Sequence, residues 1–154
     1  MTHQFHPTAL REYDIRGIVG DTLTEADAWA IGRSFATIVR RAGGKTVAVG
    51  YDGRLSSPVL EAALIKGLTE SGADVVRVGL GPTPMLYYAE AALEGVDGGI
   101  QITGSHNPPN YNGFKMVHAH APFFGADIQT IGALAAAGDW EAGVGTVRDH
   151  DIFD

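Results

Sequence analysis

The stretch Thr46-Val-Ala-Val-Gly-Tyr51, running into Asp52-Gly-Arg-Leu-Ser-Ser-Pro58, decides the fold. Its first six residues are almost all apolar, so they leave no polar face for water. A strand of that kind sits in the middle of a sheet with helices on both sides. The next seven residues supply a turn and a helix start, with Ser57 as expected N-cap and Pro58 at the first helical position. Strand, short loop and helix in that order make half of a β-α-β unit, and the helix closes at Gly72.

The same pattern repeats outward. Asp74 to Leu80, Gly98 to Thr103 and Gly113 to His118 read as further strands. Ala28, Ile31, Phe35 and Val39 share one helical face upstream, where Thr24 and Asp27 have the spacing of a capping box. A third helix starts at Thr83-Pro84 and ends near Gly95. A fourth runs from about Asp127 to Ala137, with Ile128, Ile131 and Leu134 in register, and stops at Gly138. The first three strands should be parallel with right-handed crossovers. Only a short loop separates the third strand from the fourth, too little for a parallel crossover, so the fourth should run antiparallel. The expected fold is a three-layer α/β/α domain over residues 1–138. Its four-stranded sheet is mixed and mostly parallel, with one antiparallel strand. Residues 139–154 turn acidic (Asp139, Glu141, Asp149, Asp151 and Asp154 against Arg148) and are expected to be a linker into a second domain that this chain does not contain.

Composition narrows the function classes. The 154 residues are 45% hydrophobic and 19% charged, the balance of a globular domain. The formal charge of −7 argues against nucleic acid, whose phosphate backbone is bound by basic surfaces. It leaves room for small phosphorylated ligands wherever a few cations converge. No apolar run approaches the roughly 20 residues that span a bilayer, so no membrane is expected. Met1 to Thr8 lacks the apolar core of a secretory signal, which makes the cytoplasm the default. With no cysteine, disulfides and thiolate metal sites are excluded.

Ligands of open α/β sheets bind beyond the carboxyl ends of the parallel strands. Three loops meet that condition: residues 51–57, 79–84 and 103–112. In the last, Ser105 follows a glycine, His106 can exchange a proton near neutral pH, and Pro108 and Pro109 stiffen the exit. Lys115 follows on the strand, facing away from Phe114 and Met116. As a bare composition, this is a Gly/Asn/Pro-rich turn with ordinary loop residues. A Ser-His neighbour pair is weak evidence for a hydrolytic triad, whose partners meet in space. His118-Ala-His120 has a metal-like spacing, but two histidines at the end of an amphipathic strand are more often solvated. Asp149-His-Asp151 reads as solvated linker.

Thr103-Gly-Ser-His-Asn-Pro108 with Asn112-Gly-Phe-Lys115 resembles the phosphoserine loop of the α-D-phosphohexomutases. Arg11-Glu-Tyr-Asp-Ile-Arg-Gly17 resembles the opening motif of the phosphomannomutase/phosphoglucomutase branch. Asp52-Gly-Arg54 with Ser56, and Gly81-Pro-Thr-Pro84, match the intervening loops in order and spacing. On that resemblance the chain is domain I, the phosphoserine domain, of an isomerase with three further domains, and is expected to be inactive alone. The resemblance implies that Ser105 carries a phosphate, passes it to a hexose 1- or 6-phosphate, and takes it back from a hexose 1,6-bisphosphate intermediate. It implies Mg²⁺, bound here through the Ser105 phosphate oxygen and otherwise by aspartates of the second domain. Arg16 would contact the transferred phosphate through its guanidinium fork, against a plain surface salt bridge. Tyr13 would touch substrate, against a role as a packed aromatic. Lys115 would exchange a proton with the sugar hydroxyl, or act only as a charge. His106 would orient the loop or bind phosphate, or serve as base. Asp52 and Arg54 would brace the loops. A phosphoglucosamine mutase and a non-catalytic phosphosugar-binding module are the competing readings. Mannose or glucose preference lies in domains this chain lacks.

Overall fold

The computed structural model describes residues 2–104 and 107–150. In chain order the elements are β1 (Ile15–Ile18), α1 (Glu25–Arg41), β2 (Thr46–Tyr51), α2 (Ser57–Glu70), β3 (Asp74–Leu80), α3 (Thr83–Ala92), β4 (Gly98–Ile102), β5 (Tyr111–His118), β6 (Ala121–Pro122), α4 (Ala126–Ala137) and β7 (Val147–Asp149). The sheet runs β1-β5-β4-β2-β3-β7, and β6 pairs with β5. As expected, β2 is central and parallel to both β3 and β4, while β5 is antiparallel to β4.

The helices follow from local chemistry. Thr24 caps α1: its hydroxyl accepts from the Asp27 amide at 3.3 Å, and the Asp27 carboxylate accepts from the Thr24 amide at 2.8 Å. Gly138 ends α4 in the left-handed conformation at φ 65°. Two expectations are corrected. The N-cap of α2 is Ser56, with Pro58 at the second helical position. The Ser57 hydroxyl is occupied elsewhere: it donates to Asp52 Oδ1 at 2.9 Å and accepts from Asn112 Nδ2 at 3.0 Å. The sheet is also wider than four strands, with seven among the described residues. The additional ones, β1, β6 and β7, have two to four residues each. They are too short to show an alternation of their own, and pairing with longer strands holds them.

One large core lies between the sheet and α1, α2 and α4, and includes Ile15, Phe35, Leu64, Ile100, Phe114, Ile128 and Ile131. A smaller core under α3 holds Ala48, Val76, Leu86, Ala89 and Val117. The layers are therefore unequal: three helices cover one face and α3 alone lies on the other, mainly against β2 and β4. Helices α1 and α2 cross closely. A Cβ on Gly67 would stand 2.1 Å from the Trp29 carbonyl oxygen, and one on Gly32 would stand 2.3 Å from that of Leu64.

The acidic stretch from residue 139, expected as linker, is tied to this body. Trp140 donates to Ser34 Oγ at 2.9 Å and meets Trp29 edge-on at 5.2 Å, while Arg33 lies over its ring at 4.9 Å. Arg41 pairs with Asp139 and Glu141 at 2.9 and 3.0 Å. Beyond these contacts β7 adds in parallel to β3. Asp149 is exposed and pairs with Arg77, and Asp151 lies outside the described residues. No helix among the described residues is long and apolar enough to cross a membrane.

Candidate functional site

Because β2, β3 and β4 are parallel, the loops that follow them leave the sheet at one end, and backbone hydrogen bonds join them. The Asp52 amide donates to the Ile102 carbonyl and the Gly81 amide to the Tyr51 carbonyl, both at 2.9 Å. Buried Gln101 donates through Nε2 to the Gly81 carbonyl at 2.9 Å.

The loop from 103 is gripped by two residues of the β2–α2 loop. Asp52 Oδ2 accepts from the Gly104 amide at 3.0 Å, and Oδ1 accepts from the Ser57 hydroxyl and the Arg54 amide. Burial opposes charge on Asp52, but these donors together with Thr103 outweigh it and hold the pKa below the ordinary carboxylate value. Arg54 spreads its guanidinium over three carbonyls of residues 107–111: Nη1 donates to Pro108 at 2.6 Å and Tyr111 at 3.1 Å, and Nη2 to Asn107 at 2.8 Å. The fit requires glycine at 104, since a Cβ there would lie 2.1 Å from the guanidinium carbon. Ser105 and His106, the two residues on which most of the expected chemistry rests, lie outside the described residues. Their neighbours are fixed, for the Asn107 amide and Nδ2 both donate to the Gly104 carbonyl at 2.9 Å.

Strand β1 brings the Arg11–Gly17 motif to this place. It runs antiparallel to β5, with Ile15 level with Phe114 and Arg16 level with Gly113. Ile15 and Phe114 point into the larger core, so alternation turns Arg16 and Lys115 to the opposite face, which α3 leaves largely uncovered. Both are partly exposed there. Arg16 Nη1 donates to Asn107 Oδ1 at 3.4 Å, joining the motif to the loop, while Nε lies 3.4 Å from Asp14 Oδ1. Asp14 was not singled out from the sequence, where it is one acid inside a charged motif. Here it is only 8% exposed. Burial pushes its pKa up, against the opposing pull of Arg16, Lys115 and Arg11.

Tyr13 is 72% exposed and stacks on Phe124 at 6.1 Å, its one ring contact among the described residues. The geometry therefore joins Arg16, Asp52, Arg54 and the backbone flanking Ser105, with Lys115 on the same face and Tyr13 at the motif's outer turn. A depression of about 480 Å³ is lined by Arg77, Leu80, Met85 and His150, beside the loop that follows β3.

A family model described as "Phosphoglucomutase/phosphomannomutase, alpha/beta/alpha domain I" matches residues 7–142. The chain belongs to this family. The phosphomannomutase/phosphoglucomutase of Pseudomonas aeruginosa is 49% identical over 143 residues, which cover 93% of this chain and 31% of that protein. The phosphoglucomutase of Neisseria gonorrhoeae is 46% identical over 144 residues, covering 92% and 31%. The phosphomannomutase of Salmonella typhimurium is 42% identical over 153 residues, covering 96% and 33%. A crystal structure of a phosphoglucomutase/phosphomannomutase family protein from Burkholderia thailandensis matches with a TM-score of 0.93 at 44% identity, covering 97% of this chain and 34% of that one. This member of the phosphoglucomutase/phosphomannomutase family thus spans 31% to 34% of the lengths of these proteins.

Within this family domain the histidine pair does not converge. His118 meets Phe35 edge-on at 6.2 Å on the larger-core side, whereas His120 Nδ1 lies 2.5 Å from buried Glu90 on the α3 side. No group of three His, Cys, Asp or Glu able to hold a metal occurs among the described residues. Both oxygens of Asp52 are already engaged by donors. The described residues therefore do not themselves form a magnesium cradle.

Proposed function

We propose that this chain is the phosphoserine domain of a phosphomannomutase/phosphoglucomutase, in which Ser105 carries the phosphoryl group exchanged with hexose phosphates. One observation carries the reading. The backbone on either side of Ser105 is clamped by Asp52 and Arg54, while Arg16 reaches the same loop and Lys115 shares its face.

Phosphoryl transfer asks mainly for in-line positioning and for cations around the moving oxygens. The free hydroxyl of a hexose 1- or 6-phosphate attacks the phosphorus on Ser105. As the new P–O bond forms, the bond to Ser105 Oγ breaks, giving a hexose 1,6-bisphosphate. Lys115, entering as the neutral amine, takes the hydroxyl proton, and the departing Ser105 Oγ receives a proton in exchange. The bisphosphate turns over and Ser105 recovers a phosphate from the other position, with each bond change and the proton movement reversed. Arg16 presents its fork to the transferred group. His106 orients the loop or binds phosphate, and Tyr13 borders the sugar. A magnesium ion would be held by the Ser105 phosphate oxygen and otherwise by ligands from outside this chain, where it would draw charge from the phosphate oxygens. The sugar and its distal phosphate would need the three further domains, which makes the isolated chain inactive in isomerisation. The cytoplasm, where phosphosugars are metabolised, is its proposed compartment.

Phosphopeptide mapping of the full-length protein should place stoichiometric phosphate on Ser105. Ser105→Ala should remove nearly all conversion of mannose 1-phosphate in a coupled assay without unfolding the protein. Phosphate on another hydroxyl, or turnover retained without Ser105, would overturn the proposal.

A further inference from the structure

The opening motif holds a buried acid for which the roles above have no use. Asp14 is 8% exposed and immediately precedes β1. Its backbone is fixed by a turn in which the Arg11 amide donates to the Asp14 carbonyl at 2.9 Å. Continuing the β1–β5 register by one step sets Asp14 level with Lys115, on the face that carries Arg16. Its Oδ1 lies 3.4 Å from Arg16 Nε, and that nitrogen is itself buried with no hydrogen-bond partner among the described groups. The guanidinium is therefore strung between two anchors: Asp14 behind it, and ahead of it Asn107, the first described residue after Ser105 and His106.

We propose that Asp14 is a positioning residue of this site, whose buried carboxylate aims the Arg16 guanidinium at the phosphoryl group on the loop after β4. This rests on the reading of Ser105 and Arg16 given above. An arginine with no partner at either end would spread over rotamers, whereas the Asp14 ion pair on one side and the Nη1 bond to Asn107 on the other favour a guanidinium turned to the loop. Desolvation makes charge on Asp14 unfavourable, and Arg16, Lys115 and Arg11 only partly offset that.

The test is a double-mutant cycle in the full-length enzyme with Asp14→Asn, Arg16→Lys and the double variant, assayed with mannose 1-phosphate and a bisphosphate activator. Asp14→Asn keeps shape and removes charge. It should lower kcat roughly 10- to 100-fold, as misaimed catalytic groups do, with KM changed less than about threefold. Its melting temperature should stay level or rise, because burying the charge was unfavourable. The double variant should be no slower than Arg16→Lys alone, since the two residues act as one unit. Asp14→Glu, which restores the charge on a longer arm, should recover part of the loss. Asp14→Asn activity within twofold of the parent, independent losses in the double variant, or a destabilised or insoluble Asp14→Asn would each overturn the role of Asp14. If instead Ser105→Ala and Arg16→Lys both retain full turnover, the underlying reading of the site fails.

Discussion

The Asp52 carboxylate accepts the amide of Gly104 at 3.0 Å, so an acid in the loop after β2 fixes the backbone one residue before Ser105. The same carboxylate holds the start of α2 through Ser57, which couples loop position to helix packing. Asp52→Ala should therefore cost about 1.5–3 kcal/mol, the usual value of hydrogen bonds to a charged group, and should lower turnover of the full-length enzyme. Chemical denaturation and the coupled assay measure the two effects.

Asp52 and Asp14 should leave opposite marks on the pH dependence of stability. The folded pKa of Asp52 lies below its unfolded value, near 3.9. Its contribution is thus complete above that pH and is lost as pH falls through the folded value. The Asp14 pKa is raised in the folded state, so its relative stabilisation is full below about 3.9 and disappears as pH rises through the folded value. Urea titrations from pH 3 to 7 should show a shallower acid limb in Asp52→Asn. In Asp14→Asn, part of the loss of stability on going from acid toward neutral should disappear.

Gly104→Ala should act as a loop mutation through Arg54. The new Cβ would meet the guanidinium at 2.1 Å, and displacing it gives up the bonds to Asn107, Pro108 and Tyr111. Hydrogen exchange should quicken at the Tyr111 and Asn107 amides, with a fall in turnover and a smaller change in global stability. Arg54→Lys, which keeps charge but loses the fork, should show the same pattern more weakly.

The contact between α1 and α2 admits no side chain at residue 67. Gly67→Ala would drive a methyl against the Trp29 carbonyl and should destabilise the domain by about 1–3 kcal/mol or more, despite alanine's better helix propensity. A thermal melt decides it. A stabilised variant would mean that the helices can separate without cost.

Trp140 should be a structural residue although it follows the last helix. Its contacts with Trp29, Arg33 and Ser34 predict that Trp140→Ala costs about 1–2 kcal/mol, in keeping with a half-buried aromatic. Comparing residues 1–138 with residues 1–154 by urea denaturation should show the shorter chain to be the less stable.

The elements that announce themselves along the chain were the legible ones. The Thr24–Asp27 box, the apolar run at 46–51 and Gly138 all carry their signal within a few neighbouring residues. The bracing by Asp52 and Arg54 was expected as a role, but its partners, as far away as Tyr111, were not readable. Ser57 misled because a serine before a proline has the local form of an N-cap, while its hydroxyl is taken by Asp52 and Asn112. Asp14 was overlooked because burial of a carboxylate has no sequence signature when its neighbours are charged.

By itself the sequence determined a strand-loop-helix alternation, a parallel centre with one reversed strand, and a set of motifs specific enough to indicate the family. Only the tertiary structure decided that Ile15–Ile18 is a strand on β5, and so that Arg16, Asp14 and Lys115 share the face α3 leaves bare. Only it joined residues 139–149 to the body. The reason is physical: periodicity records which side of a segment avoids water. The partner of a four-residue strand is chosen by hydrogen bonds to a chain nearly a hundred residues away.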